Sequence, residues 1–210
     1  MANITKTAEK YISEHPHIKN CISAGVVNYS SLSRKIINES QLKQDDFDAV
    51  LIASRRYAEK IRKKNSDIKS ISNVLKSSKL EIKNRRIAVV LEKSVHYKSI
   101  RMLEDEIKKF NEIIHIIESP SAVTLITADE FLPTIKKMFP SHIIKINKDC
   151  VEVILKSSID METIPGVISH LYSLFGDYGI NIIETMSCYT DTIILINEAD
   201  LKKTIDILKF

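Results

Sequence analysis

The hydrophobic pattern of this 210-residue chain changes near residue 86, and this change limits the possible folds more than any other feature. Before it, apolar residues recur at helical spacing. After it, short apolar runs typical of strands alternate with helical stretches. The order strand, helix, strand, strand, helix, strand begins at residue 86 and starts again after roughly 65 residues. The pattern predicts an α+β chain, with a helical N-terminal module followed by two ferredoxin-like βαββαβ repeats.

The same pattern predicts the boundaries between these parts. We expect the helical module over residues 1–78, the first repeat over residues 79–148 and the second over residues 149–210. The second repeat shows no fourth strand of its own, which would leave an open sheet edge. The alternating strand around Leu80 and Ile82 can fill this edge, and so can an element from another chain.

Charge is distributed unevenly between the two ends of the chain. Residues 1–85 hold 17 Lys and Arg against 9 Asp and Glu, a net charge of +8. Residues 86–210 hold 14 against 18, a net charge of −4. A basic module beside an acidic one suggests a polyanionic partner such as DNA for the first. Solubility alone is the alternative explanation.

The helical module contains one long basic helix. We expect short helices over residues 4–15, 16–24 and 30–39, the third capped by Ser30, and a long helix to about residue 64 capped by Asp45 or Asp46. Several short helices and a basic one resemble a winged-helix or helix-turn-helix layout. An ordinary solvated helix face, or a dimerisation or docking domain, is the alternative. The candidate nucleic-acid contacts are Arg34, Lys35, Arg55, Arg56, Lys60, Arg62 and Lys63.

A Pro-Gly pair in the second repeat marks a candidate ligand loop. Pro165 suits the first position of a helix, and Gly166 lets another backbone or a ligand approach closely. Gly179 is placed to end that helix as a left-handed cap. The next strand, which begins at Ile180, completes a β-loop-α-β unit whose loop is small and exposed. A small polar ligand can bind there.

These residues resemble a known family. The segment Asp160-Met161-Glu162-Thr163-Ile164-Pro165-Gly166-Val167, followed by Gly179-Ile180-Asn181-Ile182, is similar to the ACT domain. The arrangement is most similar to the paired ACT domains at the C-terminus of aspartokinases. The resemblance covers residues 151–208 by motif and residues 86–147 by pattern.

The resemblance implies a regulatory domain that binds small molecules, most often amino acids, and that associates side by side. In that family the ligand lies between the first strand-to-helix loop of one domain and a neighbouring domain. By this resemblance, Asp160 pairs with an α-amino group, and N–H groups at the helix start accept a carboxylate. The implied ligand-binding residues are Ser158, Ile159, Asp160, Ile164, Pro165, Gly166, Asn181 and Ile182.

The first repeat departs from this motif. It has Glu92-Lys93-Ser94-Val95-His96-Tyr97 where the Pro-Gly loop should be. We therefore expect the first repeat to be a structural partner without a ligand site of its own. For the second repeat, the alternative is that the Pro-Gly segment is a tight turn with no ligand.

Other functional classes find little support. Motifs for phosphate, dinucleotide, zinc-protease or serine-hydrolase sites are missing, and residues 1–85 are too few for the kinase domain that precedes ACT repeats in aspartokinases. We expect no enzyme, no cofactor and no metal site. Three widely spaced cysteines fit no disulfide framework, which favours a reducing cytoplasmic location. No apolar run is long enough for a membrane helix.

We therefore expect a homodimeric regulator in which an amino acid bound to the ACT repeats acts on the helical module, with transcriptional control as one form of output. A non-catalytic regulatory or scaffold subunit that docks on an amino-acid biosynthetic enzyme is the alternative.

Overall fold

The structure is a computed structural model that describes residues 3–63 and 66–209, with the backbone alone given for residues 63 and 66–69. The chain folds as two compact units, Met1–Ser70 and Ile71–Phe210. None of the helices in the described ranges is long and apolar enough to cross a bilayer.

Helices joined by short connections and a 3₁₀ turn make up the described part of the first unit. Its buried core consists mainly of Ala, Ile and Leu side chains, and α4 packs against the three helices before it. A fifth helix, α5 (Ser66–Ser77), begins in this unit and ends in the second. The other helices are α1 (Ile4–Glu14), α2 (Pro16–Ala24), α3 (Tyr29–Glu39) and α4 (Phe47–Lys63).

The predicted cap at Ser30 is wrong, whereas Asp46, one of the two predicted caps of α4, directly precedes that helix. The side chain of Asn28, rather than Ser30, accepts a hydrogen bond from the Ser31 N–H at 3.1 Å and caps α3. Asp46 lies in a short 3₁₀ turn before α4, and its carboxylate accepts from the Lys43 N–H at 3.2 Å. Asn and Asp both cap helices well, so the choice depends on where the preceding chain turns.

A six-stranded antiparallel sheet organises the second unit. The strand order is β2-β3-β1-β4-β6-β5. Helices α6 and α7 pack on the part of the sheet formed by the first repeat, and α8 and α9 on the part formed by the second. The strands are β1 (Lys79–Glu92), β2 (His115–Glu118), β3 (Ala122–Ala128), β4 (Ile143–Lys156), β5 (Ile182–Cys188) and β6 (Asp191–Asn197); the helices are α6 (Tyr97–Lys108), α7 (Leu132–Met138), α8 (Val167–Asp177) and α9 (Leu201–Ile207).

Strands β1 and β4 each serve both repeats. The second half of β1 pairs with β3, and its first half pairs with the second half of β4, as in Leu80 with Leu155 and Ile82 with Val153. The strand near Leu80 therefore completes the sheet of the second repeat from within the chain. Each repeat then has the strand order 4-1-3-2 that a ferredoxin-like unit requires, which confirms the predicted fold class.

On the side of the sheet away from the helices, residues of the two edge strands come together. Ile117 on one edge strand and Met186 on the other pack against the same small apolar cluster, although four strands separate them in the sheet. The Thr124 hydroxyl donates to Glu184 Oε1 at 3.3 Å across the same gap. The two halves of the sheet therefore face one another, with the helices on the outside.

Candidate functional site

The loop of the second repeat spans residues 157–166, between β4 and α8. A 3₁₀ turn, Ile159–Glu162, forms its centre, and Met161 is buried beneath it in the core of the repeat. The Asp160 carbonyl accepts from the N–H groups of Thr163 at 3.1 Å and Ile164 at 2.9 Å. The loop is therefore held by its own backbone, while its polar side chains face outward.

Gly166 occupies the cap position of α8 in a left-handed conformation, with φ of 96°. The predicted helix start at Pro165 is therefore wrong, because the first helical residue is Val167. A Cβ on Gly166 would lie 3.3 Å from Cδ1 of Ile71, a residue of α5. Both the backbone conformation and the close neighbour explain why this position requires glycine.

The start of α8 is open to an acceptor group. Gly166 has no side chain with which to cap the helix, and none of the described side chains does so. The first N–H groups of α8 are therefore available to water or a ligand. Asp160 is exposed, and its carboxylate accepts from the Ser158 hydroxyl at 3.4 Å. A donor-rich helix start and an exposed carboxylate thus occur on one loop.

Asn181 and Ile182 lie at the other end of the repeat. Ile182 pairs with Ile196 at the end of the sheet far from the 157–166 loop. At the near end, Asp191 pairs with both Cys188 and Lys156, the residue that directly precedes the loop. Six residues of strand, about 20 Å, separate the two ends. Within one chain, the structure does not bring the two halves of the predicted ligand site together.

The turn after α8 follows the sequence prediction. Gly179 has φ of 65°. The Ile180 N–H donates to the Phe175 carbonyl at 2.8 Å, and the Gly179 N–H donates to the Gly176 carbonyl at 3.0 Å. These are the two hydrogen bonds of a Schellman motif, and buried Phe175 and Ile180 supply its apolar contact. The left-handed cap at Gly179 is confirmed.

A buried ionic network lies where the two repeats share strands. Arg86, 3% exposed, donates from both terminal nitrogens to Glu112 Oε1 at 3.0 Å. Its Nε lies 3.3 Å from Oε2 of Glu152, close enough for an ion pair but without hydrogen-bond alignment. Glu152, 1% exposed, also lies 3.2 Å from Nε2 of His115. No local sequence pattern points to this network, because its members are distant in sequence.

A cavity of about 480 Å³ opens beside this network at the bend of β1. Its charged walls are largely paired with one another, Arg85 with Asp129 and Arg86 with Glu112. Burial raises the pKa of Glu112, but the Ile113 N–H and the Arg86 guanidinium outweigh it and hold the pKa below its usual value. We regard these pairs as structural.

Several candidate nucleic-acid residues make internal contacts. Lys60 forms an ion pair with Glu9 at 2.7 Å, and Lys35 with Glu39 at 3.7 Å. The remaining candidates differ in how freely they can reach a partner. The Arg62 Nε donates to the Ile22 carbonyl at 3.3 Å, and the Arg34 guanidinium lies 5.6 Å from the Phe47 ring centre. Arg55 and Arg56 are exposed and form no ion pair within the described part of the chain. The side chain of Lys63 lies outside the described residues.

Known proteins are similar to part of this chain. The family model of the ACT domain matches residues 145–209. A search of curated protein sequences gives no match. The structure of aspartate kinase from Clostridium acetobutylicum is 13% identical with a TM-score of 0.52, over 62% of this chain and 33% of that one. That of aspartate kinase from Synechocystis is 16% identical with a TM-score of 0.51, over 64% and 26%.

A structure of aspartokinase alpha and beta subunits is 11% identical with a TM-score of 0.50, over 65% of this chain and 95% of that one. This chain therefore matches a third or less of the two aspartate kinases, but nearly the whole of this smaller chain. Identities this low show the fold alone. The family model and the sheet order agree, and residues 145–209 are similar to the ACT domain.

Proposed function

We propose that this protein is a non-catalytic regulator that binds an α-amino acid at the 157–166 loop and that the helical unit transmits the response. The observation that carries the proposal is the start of α8, where Gly166 leaves the helix uncapped on an ACT domain. DNA is the proposed target of the helical unit. Residues 1–70 hold 13 basic and 8 acidic side chains, a net charge of +5.

The ligand would be held at both of its charged ends. A carboxylate accepts hydrogen bonds from the first N–H groups of α8, where the helix dipole also favours negative charge. The exposed Asp160 carboxylate receives the α-amino group, and Ser158 holds that carboxylate in place. The side-chain pocket would be formed by Ile159, Ile164 and Pro165. A zwitterion suits this loop better than a simple anion.

A second copy of the chain would complete the site. Strand β5 forms one edge of the sheet. Antiparallel pairing of β5 with β5 of a second copy places Ile182 of one chain beside Cys188 of the other. Since Cys188 lies at the loop end, this arrangement brings Asn181 of the partner subunit toward the 157–166 loop. A homodimer of this kind also covers an open strand edge.

Helix α5 offers a route for the response. Ile71 lies against the Gly166 loop, while α5 itself begins at Ser66, within the helical unit. A ligand that prefers one position of the loop therefore favours one position of Ile71 and of α5. Such a change requires differential affinity for the two arrangements.

A thermal-shift screen of the twenty amino acids at millimolar concentration tests the proposal. An amino acid that binds the folded protein raises Tm by mass action. We expect Asp160→Asn to lose the response and Asp177→Asn, at the far end of α8, to keep it. If no amino acid raises Tm, the repeats are assembly modules. Light scattering that shows a monomer at tens of micromolar, with and without the amino acid, would remove the dimer.

Docking on a protein is the second candidate for the helical unit. Ile52 on α4 is 51% exposed and lies on the same face as Arg55 and Arg56. An exposed apolar residue among basic ones suits a protein surface. Co-purification of one amino-acid biosynthetic enzyme with the wild type, and its loss in Ile52→Ser, would favour docking over DNA.

A further inference from the structure

We propose that α2, the Gly25–Asn28 connection and α3 form a helix-turn-helix, and that α3 enters the major groove of duplex DNA. This inference rests on the proposed function, since it takes the helical unit as the output. In this arrangement α3 reads the DNA sequence, and the basic face of α4 has a lesser role.

The connection between α2 and α3 is short and well defined. Gly25 has φ of 78°, and the Val26 N–H donates to the Cys21 carbonyl at 3.1 Å, which ends α2 in a Schellman motif. Two residues later the Asn28 side chain caps α3. Helix-turn-helix motifs join their helices by a turn of three to four residues that often contains glycine.

The side chain of Arg62 on α4 contacts both ends of this turn. Its Nε donates to the Ile22 carbonyl at the end of α2 at 3.3 Å, and its Nη2 lies 3.4 Å from the Tyr29 hydroxyl at the start of α3. One guanidinium thus contacts both helices of the motif. Arg62 therefore positions α2 and α3 rather than contacting phosphate.

Helix α3 has one buried and one bare face. Leu32, Ser33, Ile36 and Ile37 are buried against the core of the unit. The opposite face carries Ser31, Arg34, Lys35 and Asn38, all exposed. Within the described side chains this face carries one acid, Glu39, whose carboxylate accepts from the Tyr11 hydroxyl at 2.6 Å. The bare face therefore presents hydroxyl, amide and cationic groups, of which Lys35 pairs with Glu39 at 3.7 Å and Arg34 lies 5.6 Å from the Phe47 ring centre.

These side chains match the chemistry of the major groove. Arginine forms a two-pronged contact with guanine O6 and N7, and asparagine with adenine N6 and N7. Arg34 and Asn38 lie one turn apart on α3, so both can face base edges. Ser31, near the start of the helix, is placed for a phosphate, as the N-terminal residues of such helices often are.

Helix α4 is less suited to this role. It packs against α1, α2 and α3, and two of its cations are engaged, Lys60 with Glu9 and Arg62 with the turn. Its exposed stripe also includes Ile52 and Glu59. Arg55 and Arg56 remain as candidates for phosphate contacts beyond the groove. We therefore assign sequence readout to α3 and, at most, sequence-independent attraction to α4.

The test is selection from random duplex DNA by the full-length protein at about 50 mM salt, followed by fluorescence anisotropy on the selected sequence. We expect the wild type to return one motif. Arg34→Ala should lower affinity about 10-fold or more and relax the preference at one base pair. Arg55→Ala, the matched control, should keep the motif and weaken binding equally on selected and random DNA.

A motif that survives Arg34→Ala and Asn38→Ala but is lost in Arg55→Ala would overturn the assignment to α3. Tm values of the variants close to that of the wild type exclude unfolding as the cause of any loss. No binding of the wild type at low salt would overturn the DNA inference as a whole. The amino-acid screen uses no DNA, so it tests the proposed ligand site separately from the DNA inference.

Discussion

The two repeats of the second unit share a topology but differ in the loop that follows their first strand. In the first repeat, residues 93–96 make a tight turn, and α6 begins directly after His96. Lys93 in this turn forms an ion pair with Glu118. In the second repeat, residues 157–166 make a longer loop, and α8 begins directly after Gly166, whose backbone is in the left-handed conformation. The same fold therefore supports a closed turn in one repeat and a candidate ligand loop in the other.

A second difference lies at the paired bulges where β1 and β4 bend. Arg85 and Asp149 have nearly the same left-handed conformation, with φ of 56° and 52°. The residues after them, Arg86 and Cys150, pair with each other across the two strands. One is a buried cation, and the other is a buried thiol whose pKa burial raises to about 11. The two bulges therefore have the same backbone conformation but place a charged side chain in one repeat and an uncharged one in the other.

Replacing the buried cation should have the largest effect. Arg86→Ala leaves the buried Glu152 carboxylate and the half-buried Glu112 carboxylate without their partner, and we expect a loss of about 3–5 kcal/mol in the free energy of unfolding. Cys150→Ala at the equivalent position should cost about 1 kcal/mol. Urea unfolding measures both. Equal losses would mean that packing at the bulge, rather than charge, stabilises the junction.

Adding a methyl group to the second loop should have the next largest effect. Gly166→Ala places an L-residue at a φ of 96° and brings its Cβ against Ile71, so we expect a loss of about 1–2 kcal/mol and no amino-acid response. Gly176→Ala in α8 meets no atom within 4 Å. This control should raise stability by up to about 1 kcal/mol and keep the response. Loss of the response in both variants would place the ligand elsewhere.

Acid should weaken the junction through Glu112. Its pKa in the folded protein is held below the ordinary value, despite burial, by the Ile113 N–H and the Arg86 guanidinium. A lowered folded pKa stabilises the protein above the unfolded pKa, and this contribution is lost as pH falls toward the folded value. Unfolding measured from pH 6 down to pH 3 should therefore show a shallower pH dependence in Glu112→Gln than in the wild type. Identical slopes would contradict the paired carboxylate.

The ion pair that closes the first loop should matter least. Lys93 and Glu118 are both largely exposed, with 41% and 49% of their side chains accessible. Exposed pairs typically contribute less than about 1 kcal/mol and are screened by salt. Lys93→Ala should change stability by less than about 0.5 kcal/mol and leave the amino-acid response unchanged. A lost response would mean that the first repeat contributes to the site.

Local signals in the sequence predicted individual elements well. The helix over Pro16–Ala24 and the left-handed cap at Gly179 follow from short-range rules about proline, glycine and helical spacing. The strand predicted around Leu80 and Ile82 is instead part of the continuous strand β1, whose pairing with β4 shifts register at a bulge. A bulge is visible only when the partner strand is known, and this partner is distant in sequence.

The sequence alone therefore determined the class of fold, the ACT motif of the second repeat and the position of its glycine loop, because each depends on residues close together in the chain. Tertiary structure decided which strands are shared, that residues 79–83 complete the second repeat, and that Ile71 lies against Gly166. It also assembled Arg86, Glu112, His115 and Glu152 into one network. Long-range pairing and burial create these contacts, and no local pattern records them.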